Sequence, residues 1–131
     1  MKKILLIGLA FLVIGLLGLF VLDLPLATHR SVTLLSQEEA ALSATYYPGS
    51  GPGGVLLLEG FGADQHMMRS LVRDLTASGL HVFTFDYSGH GYSPGALEYD
   101  NASTERLAGQ VQSAMKEFLR LSGLQADQIV P

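Results

Sequence analysis

Two short stretches decide the fold: VLLLEGFG at residues 55–62 and HVFTFDYSGHGYS at residues 81–93. Each is an apolar run that ends in a glycine-rich turn. A continuous apolar run of this length is typical of a strand buried on both faces of a parallel sheet. Between them, apolar residues recur at the spacing of one helix face. Asp64 precedes this segment and can cap the helix, and Gly79 follows it and can terminate the helix. The predicted members of that face are Met68, Leu71, Val72 and Leu75. The sequence therefore predicts a strand–helix–strand unit.

The same alternation continues on both sides of this unit. A second helix is predicted to end at Gly123, and another strand to begin at Ile129. The apolar face of that helix comprises Leu107, Val111, Ala114, Met115 and Phe118. Upstream, Val32–Ser36 and Ala41–Tyr47 are predicted to pair as a hairpin. Strands that alternate with amphipathic helices indicate an α/β fold with right-handed βαβ units and a mostly parallel sheet covered on both faces.

The two glycine turns resemble those in the opening half of an α/β-hydrolase. Glu59-Gly60-Phe61-Gly62 follows the first strand of the unit, and residues 86–93 are similar to the family's Asp-x-x-Gly-His-Gly-x-Ser segment. The resemblance covers roughly residues 32–130. It implies that the backbone N–H of Phe61, presented by Gly60 and Gly62, is half of an oxyanion hole. It also implies a bracing role for four residues of the second turn: Asp86, Gly89, His90 and Gly91.

Members of this family are serine hydrolases, of esterase or lysophospholipase type among others. They cleave esters, lipids or amides with a serine nucleophile, a histidine base and an acid that orients the histidine. In the family's chain order all three follow the strand that residues 129–130 begin. We therefore expect the nucleophile, acid and base beyond Pro131, no cofactor, and a small-molecule or lipid substrate.

Glu59 departs from the family pattern, which most often has histidine at this position. An ionised carboxylate beside an oxyanion hole would oppose the charge that the reaction must stabilise. Either Glu59 points away and hydrogen-bonds the loop, or the site has been altered.

Two further motif matches are rejected on physical grounds. Residues 91–95 fit Gly-x-Ser-x-Gly, but the residue after Ser93 is Pro94, which has no N–H for the second oxyanion contact. Residues 49–54 fit Gly-x-Gly-x-x-Gly, yet they lead into a strand, whereas a dinucleotide-binding loop follows one. We predict that Ser93 is not a nucleophile and that residues 49–54 are a linker.

The N-terminus predicts a membrane anchor. Residues 4–22 form an uncharged run preceded by Lys2 and Lys3, and a helix of that length rises about 28 Å, close to the thickness of a bilayer core. The domains are therefore predicted as an anchor or signal segment at 1–27 and a partial hydrolase domain at 28–131. The two lysines favour a cytoplasmic N-terminus and an extracytoplasmic domain. A cleaved signal and a secreted domain are the alternative.

Composition excludes several other functions. The net charge is −4, no basic cluster follows the predicted anchor, and there are no cysteines, so nucleic-acid binding and thiolate chemistry are not expected. His29, His66 and His81 show no metal-ligand spacing, and no metal is expected.

Three functions compete. The first is a portion of a membrane-anchored hydrolase, in which case residues 28–131 alone are expected to be insoluble or molten, because the first apolar strand would lack a neighbour. The second is a non-catalytic binding or interaction module, which Glu59 mildly favours. The third is a nucleotide-binding domain, with Asp86 near the distance expected for a ribose-binding acid.

Overall fold

The computed structural model describes residues 8, 12–15, 28–37, 40–60, 62–96 and 103–131. Gly8 and residues 12–15 are helical and exposed. The rest of the predicted anchor lies outside the described residues. Across the residues that are described, the helices are too short or too polar to span a bilayer.

Five strands form one sheet within the described residues: β1 (Arg30–Leu35), β2 (Ala41–Tyr47), β3 (Gly54–Leu57), β4 (His81–Phe85) and β5 (Ile129–Val130). Their order is β1-β2-β4-β3-β5. β1 and β2 form the predicted hairpin, with Leu35 opposite Ala41. β3 lies between β4 and β5, as the resemblance implies.

The sheet is mixed: β1, β3, β4 and β5 run in one direction, as expected of a mostly parallel sheet, and β2 runs in the opposite direction. β3 pairs in parallel with β4 and β5, whereas β1 pairs with β2, and β2 with β4, in antiparallel fashion. The reason lies in the connections. Parallel neighbours need a long crossover, and a helical segment supplies one between β3 and β4. The short loop at 48–53 only reverses the chain between β2 and β3, so the hairpin joins β4 from the opposite direction.

Two helices cover the two faces of the sheet. A 3₁₀ turn at Gln65–Met68 leads into α1 (Arg69–Ala77), and α2 (Ser103–Ser122) precedes a second 3₁₀ turn at Ala126–Gln128. Asp64 caps the first 3₁₀ turn: its carboxyl oxygen accepts a hydrogen bond of 3.1 Å from the N–H of Met67. The predicted terminators Gly79 and Gly123 both have positive φ, 85° and 72°, a conformation that favours glycine.

The core follows this layering. Under α1, Val72 packs with Tyr47 and Val82 from the sheet. The larger cluster, on the face of α2, consists of Leu34, Leu42, Ala44, Tyr46, Leu56, Phe83, Phe85, Ala114, Phe118 and Ile129. Two predicted core residues are instead at the surface: Leu71 is 45% exposed and Leu107 is 40% exposed. Leu71 lies at the edge of its apolar stripe, and Leu107 lies in the second turn of α2, close to the N-terminus of that helix.

Residues 49–53 are a loop that leads into β3, as predicted, and Gly54 is the first residue of that strand. The carbonyl oxygen of Gly79 accepts hydrogen bonds from the N–H groups of Ser50 and Gly51, at 3.1 and 2.8 Å. A Cβ at Gly49 would lie 2.4 Å from the carbonyl carbon of Leu80. These glycines therefore allow two backbone segments to approach each other closely, which is a structural role.

Candidate active site at the carboxyl ends of β3 and β4

The two glycine turns lie next to each other in space. β3 and β4 are parallel neighbours, so the turns that follow them leave the same edge of the sheet, where open α/β sheets bind ligands. In the first turn the N–H of Ala63 donates to the carbonyl oxygen of Gly60 at 3.1 Å, and Gly62 has φ of 71°. Phe61, the predicted oxyanion donor, lies outside the described residues. The structure therefore places the two residues that flank it, Gly60 and Gly62.

Asp86 joins the two turns. It is fully buried, and one of its carboxyl oxygens accepts from the backbone N–H of Gln65 at 2.8 Å. The other accepts from the Gln65 side-chain amide and from the N–H of Tyr92, each at 3.0 Å. Because three donors occupy this carboxyl group, it is not available to a ribose, which removes the main argument for a nucleotide-binding domain.

The glycines of the second turn fit tightly around Asp86. Gly89 and Gly91 have φ of 77° and 47°. A Cβ at Gly91 would lie 2.4 to 2.7 Å from three atoms of the Asp86 carboxyl group. The turn therefore needs glycine at position 91 both for its backbone conformation and for space.

Gln65 is a site residue that sequence reasoning missed. Its Nε2 donates to Asp86 and to the Ser43 hydroxyl at 3.0 Å. Its Oε1 accepts from the hydroxyls of Thr45 and Thr84, at 2.8 and 3.0 Å. The amide thus uses two donor and two acceptor positions, and it ties the 3₁₀ turn to β2 and β4. Only its place directly after the cap Asp64 distinguishes it in the sequence.

Glu59 forms a buried pair with His90. Oε1 of Glu59 lies 2.7 Å from Nδ1 of His90 and accepts from the N–H of Tyr87 at 3.0 Å. Only 1% of the Glu59 side chain is exposed. Its Oε2 is also buried and has no hydrogen-bond partner among the described residues. Glu59 therefore connects the turn after β3 to the turn after β4 through hydrogen bonds.

Burial raises the pKa of Glu59 above its usual range, because removal from water disfavours the charged form. The nearby negative charge of Asp86 raises it further. The hydrogen bonds from Tyr87 and His90 act in the opposite direction, as would a positive charge on His90. The net direction is upward.

The hydroxyl of Ser93 is used inside the fold. Ser93 is buried, and its Oγ donates to the carbonyl oxygen of Asp86 at 2.5 Å and accepts from the N–H of Ser43 at 2.9 Å. It also lies in a loop well past the end of β4. These contacts support the prediction that Ser93 is not a nucleophile.

A second missed residue, Gln110, holds the far side of this turn. Gln110 lies on α2 and is almost fully buried. Its Nε2 donates to the Ser88 hydroxyl at 2.6 Å, and its Oε1 accepts from the Ser88 N–H at 3.1 Å. The second turn is therefore held by side chains from the turn after β3, from α2 and from the 3₁₀ turn before α1.

A groove of about 770 Å³ lies beside the hairpin on the α1 face of the sheet. Its lining comes from β1, β2, Gln65, the start of α1 and Tyr92. Tyr92 is exposed at its rim and makes an edge contact with His66. The groove borders the Asp86 network, but it does not lie above the first glycine turn.

Comparison with known proteins identifies the family. The family model described as the alpha/beta hydrolase fold matches residues 54–126, more than half of the chain. An uncharacterized protein of Mycobacterium tuberculosis is 34% identical over 89 residues, which are 65% of this chain and 31% of that protein. The chain therefore spans less than a third of the length of the curated relatives it matches.

Solved structures agree on the fold. A hypothetical protein from Pseudomonas aeruginosa superposes with a TM-score of 0.65 at 23% identity, over 80% of this chain and 35% of that one. The alpha/beta hydrolase GrgF from a Penicillium species gives 0.64 at 19% identity, over 78% and 36%. An esterase from Pyrococcus furiosus gives 0.59 at 21% identity, over 71% and 37%. Together with the strand order and the family match, these likenesses show that the chain belongs to the α/β-hydrolase fold family.

Proposed function

We propose that this chain is part of a membrane-anchored serine hydrolase that cleaves an ester, lipid or amide bond. The observation that carries the proposal is the placement of two linked glycine turns at the carboxyl ends of β3 and β4, in a chain of this family. The esterase and hydrolase titles of several similar structures support the same reaction class. The chain supplies the scaffold of the site.

In the proposed mechanism, the turn after β3 stabilises the oxyanion. A serine attacks the substrate carbonyl, a histidine accepts the serine proton, and an acid orients the histidine. All three follow Pro131 in the proposed full-length protein. The N–H of Phe61 then meets the negative oxygen of the tetrahedral intermediate, with Gly60 and Gly62 giving the turn its shape. Asp86, Gly89, His90 and Gly91 brace the loop beside it.

The test separates the effect of the Phe61 N–H from the effect of the Phe61 side chain. In the full-length protein, Phe61→Pro eliminates the N–H, while Phe61→Ala removes the ring and keeps the N–H. Hydrolysis of p-nitrophenyl esters of increasing chain length is measured for both. Loss of one oxyanion donor lowers kcat by about 100- to 1,000-fold. We expect that loss in Phe61→Pro only. Equal rates in two variants with native circular dichroism would contradict the assignment.

We further propose that residues 1–27 anchor the protein in a membrane, with the N-terminus in the cytoplasm. The uncharged run at 4–22 after two lysines supports this. We expect the full-length protein to stay in the membrane fraction after alkaline carbonate extraction, and a variant of the full-length protein that starts at residue 28 to leave it. Intact-mass measurement separates an anchor from a cleaved signal, since cleavage removes the N-terminal residues.

A non-catalytic interaction module is the second candidate. The buried carboxyl group of Glu59, at a position where the family most often has histidine, favours it. A fluorophosphonate probe distinguishes the two candidates, because it labels an activated serine. Folded full-length protein that resists the probe and hydrolyses no ester would support the module.

A further inference from the structure

Glu59 is the buried group whose role the proposed mechanism leaves open. Its Oε1 receives two donors from the second turn, Tyr87 N–H and His90 Nδ1. Its Oε2 is equally buried and receives none from the described residues. The two oxygens of one carboxyl group thus have different surroundings. A carboxylate shares its charge between both oxygens, whereas a carboxylic acid has one acceptor oxygen and one oxygen that bears a proton.

The asymmetry fits the acid. An ionised carboxylate with one oxygen out of water and without a donor is costly, and such a group takes up a proton instead. The neighbouring ionisable groups do not change this. On the second turn they are Asp86, Tyr87 and His90, and the charge of Asp86 disfavours a second negative charge nearby. His90 Nδ1 lies 2.7 Å from Oε1, and an imidazole tautomer that donates from Nδ1 satisfies this contact.

We propose that Glu59 is a positioning residue that works as a neutral carboxylic acid, with its proton on Oε2. Oε1 holds the second turn against the first, and the absence of a charge keeps the space after β3 suitable for an oxyanion. The statement about the oxyanion rests on the proposed hydrolase function. The statement that Glu59 is a neutral acid that links the two turns does not.

The consequence for the reaction is electrostatic. Oxyanion stabilisation depends on donors acting in a site of low dielectric, where a nearby negative charge weakens them strongly. Glu59 is two residues before Phe61 in the chain. A neutral Glu59 keeps the shape of the turn without opposing the developing charge, so an acidic residue at this position is compatible with hydrolysis.

The direct test is the protonation state of Glu59 in the intact chain. The full-length chain is labelled with ¹³C at glutamate Cδ, purified in a mild detergent, and titrated by NMR from pH 4 to 9. The Glu59 signal is the one missing from Glu59→Gln. We expect this signal to keep the chemical shift of a neutral acid at pH 7, when the signal of Glu117, whose pKa is lowered by the hydrogen bond from Arg120, already has that of a carboxylate. An ionised Glu59 at pH 7 would overturn the proposal.

Labelling of histidine with ¹⁵N locates the second proton. We expect a neutral His90 with the proton on Nδ1 at pH 7. A doubly protonated His90 would mean a Glu59–His90 ion pair, which would also overturn the proposal. Neither measurement uses catalysis, so both outcomes stand even if the hydrolase function is disproved by the Phe61 variants.

Variants test the positioning role. Glu59→Gln is neutral, keeps an acceptor for Tyr87 and His90, and has N–H groups in place of the acid O–H. We expect its Tm to stay within about 3 °C of the parent protein, and that of Glu59→Ala to fall by about 10 °C or more because two buried donors lose their acceptor. In the full-length hydrolase, the pH profile of kcat for Glu59→Gln should lack the decline at rising pH that ionisation of Glu59 causes in the parent protein. A loss of stability in Glu59→Gln as large as in Glu59→Ala would contradict a neutral acid.

Discussion

Substitution of Gly91 by alanine tests whether the second turn is built around the Asp86 carboxyl group. The backbone at Gly91 has φ of 47°, and a side chain in this conformation costs about 1–2 kcal/mol. The new Cβ would also lie 2.4 Å from one Asp86 oxygen and 2.7 Å from the other. Asp86 must therefore move, which breaks at least one of its three hydrogen bonds. Each such bond to a charged acceptor is worth about 1.5–3 kcal/mol.

The expected loss is therefore about 3–5 kcal/mol in the free energy of unfolding. Gly123→Ala is the matched control. Gly123 has φ of 72°, and a Cβ there would meet no atom within 4 Å, so only the backbone term of about 1–2 kcal/mol applies. The change of glycine to alanine affects the unfolded chain equally in both variants and cancels in the difference.

The assay is urea unfolding of the full chain in a non-ionic detergent, followed by circular dichroism. For m-values of about 1–3 kcal/mol/M, a difference of about 2–3 kcal/mol places the midpoint of Gly91→Ala about 0.7–3 M below that of Gly123→Ala. Equal midpoints would refute the reasoning, because they would mean that the turn accepts a side chain next to Asp86.

Three further predictions concern other parts of the site and core. Ser93→Ala should lower the free energy of unfolding by about 1–3 kcal/mol, because its two hydrogen bonds inside the fold are lost. Fluorophosphonate labelling of the full-length protein should stay intact, and loss of labelling in folded Ser93→Ala would make Ser93 the nucleophile. Since the pKa of Glu59 is raised on folding, its contribution to stability should decline as the pH rises above 4.5, so urea midpoints of Glu59→Gln relative to the parent should increase with pH. Those of the comparison variant Glu117→Gln should decrease with pH, because the hydrogen bond from Arg120 lowers the pKa of Glu117. Phe118→Ala should lower the free energy of unfolding by about 3–5 kcal/mol, because Phe118 is fully buried. Leu107→Ala should lower it by under about 1 kcal/mol, because Leu107 is at the surface. Similar losses in the two variants would contradict the packing described.

The fold could be predicted from the sequence because its signals are local. Apolar runs at 55–58 and 82–85, and the caps at Asp64, Gly79 and Gly123, depend on residues close together in the chain. The direction of β2 against β4 was not predictable in the same way. It depends on how a short loop reverses the chain, and periodicity carries no information on that.

The site was predicted only in outline. The two turns were found from their glycines, and the proline after Ser93 argued against a nucleophile. The partners of the turns come from elsewhere: Gln65 reaches Asp86 across 21 residues, and Gln110 reaches Ser88 across 22. A buried glutamine has the same sequence signature as an exposed one, so these contacts needed the structure. The two alternatives for Glu59 likewise could not be decided until its partner His90 was known.

The side chain of Gln65 has a consequence for the order in which the molecule assembles. Its four side-chain hydrogen bonds join residues 19 to 22 positions away, and they require β2, β4 and the 3₁₀ turn to be in place at once. We expect contacts of this kind to form after the rate-limiting step, in which case their removal speeds unfolding and leaves the folding rate almost unchanged. Gln65→Ala should therefore shorten the lifetime of the native state. In a protein exposed to proteases, that lifetime decides how long the two turns stay together.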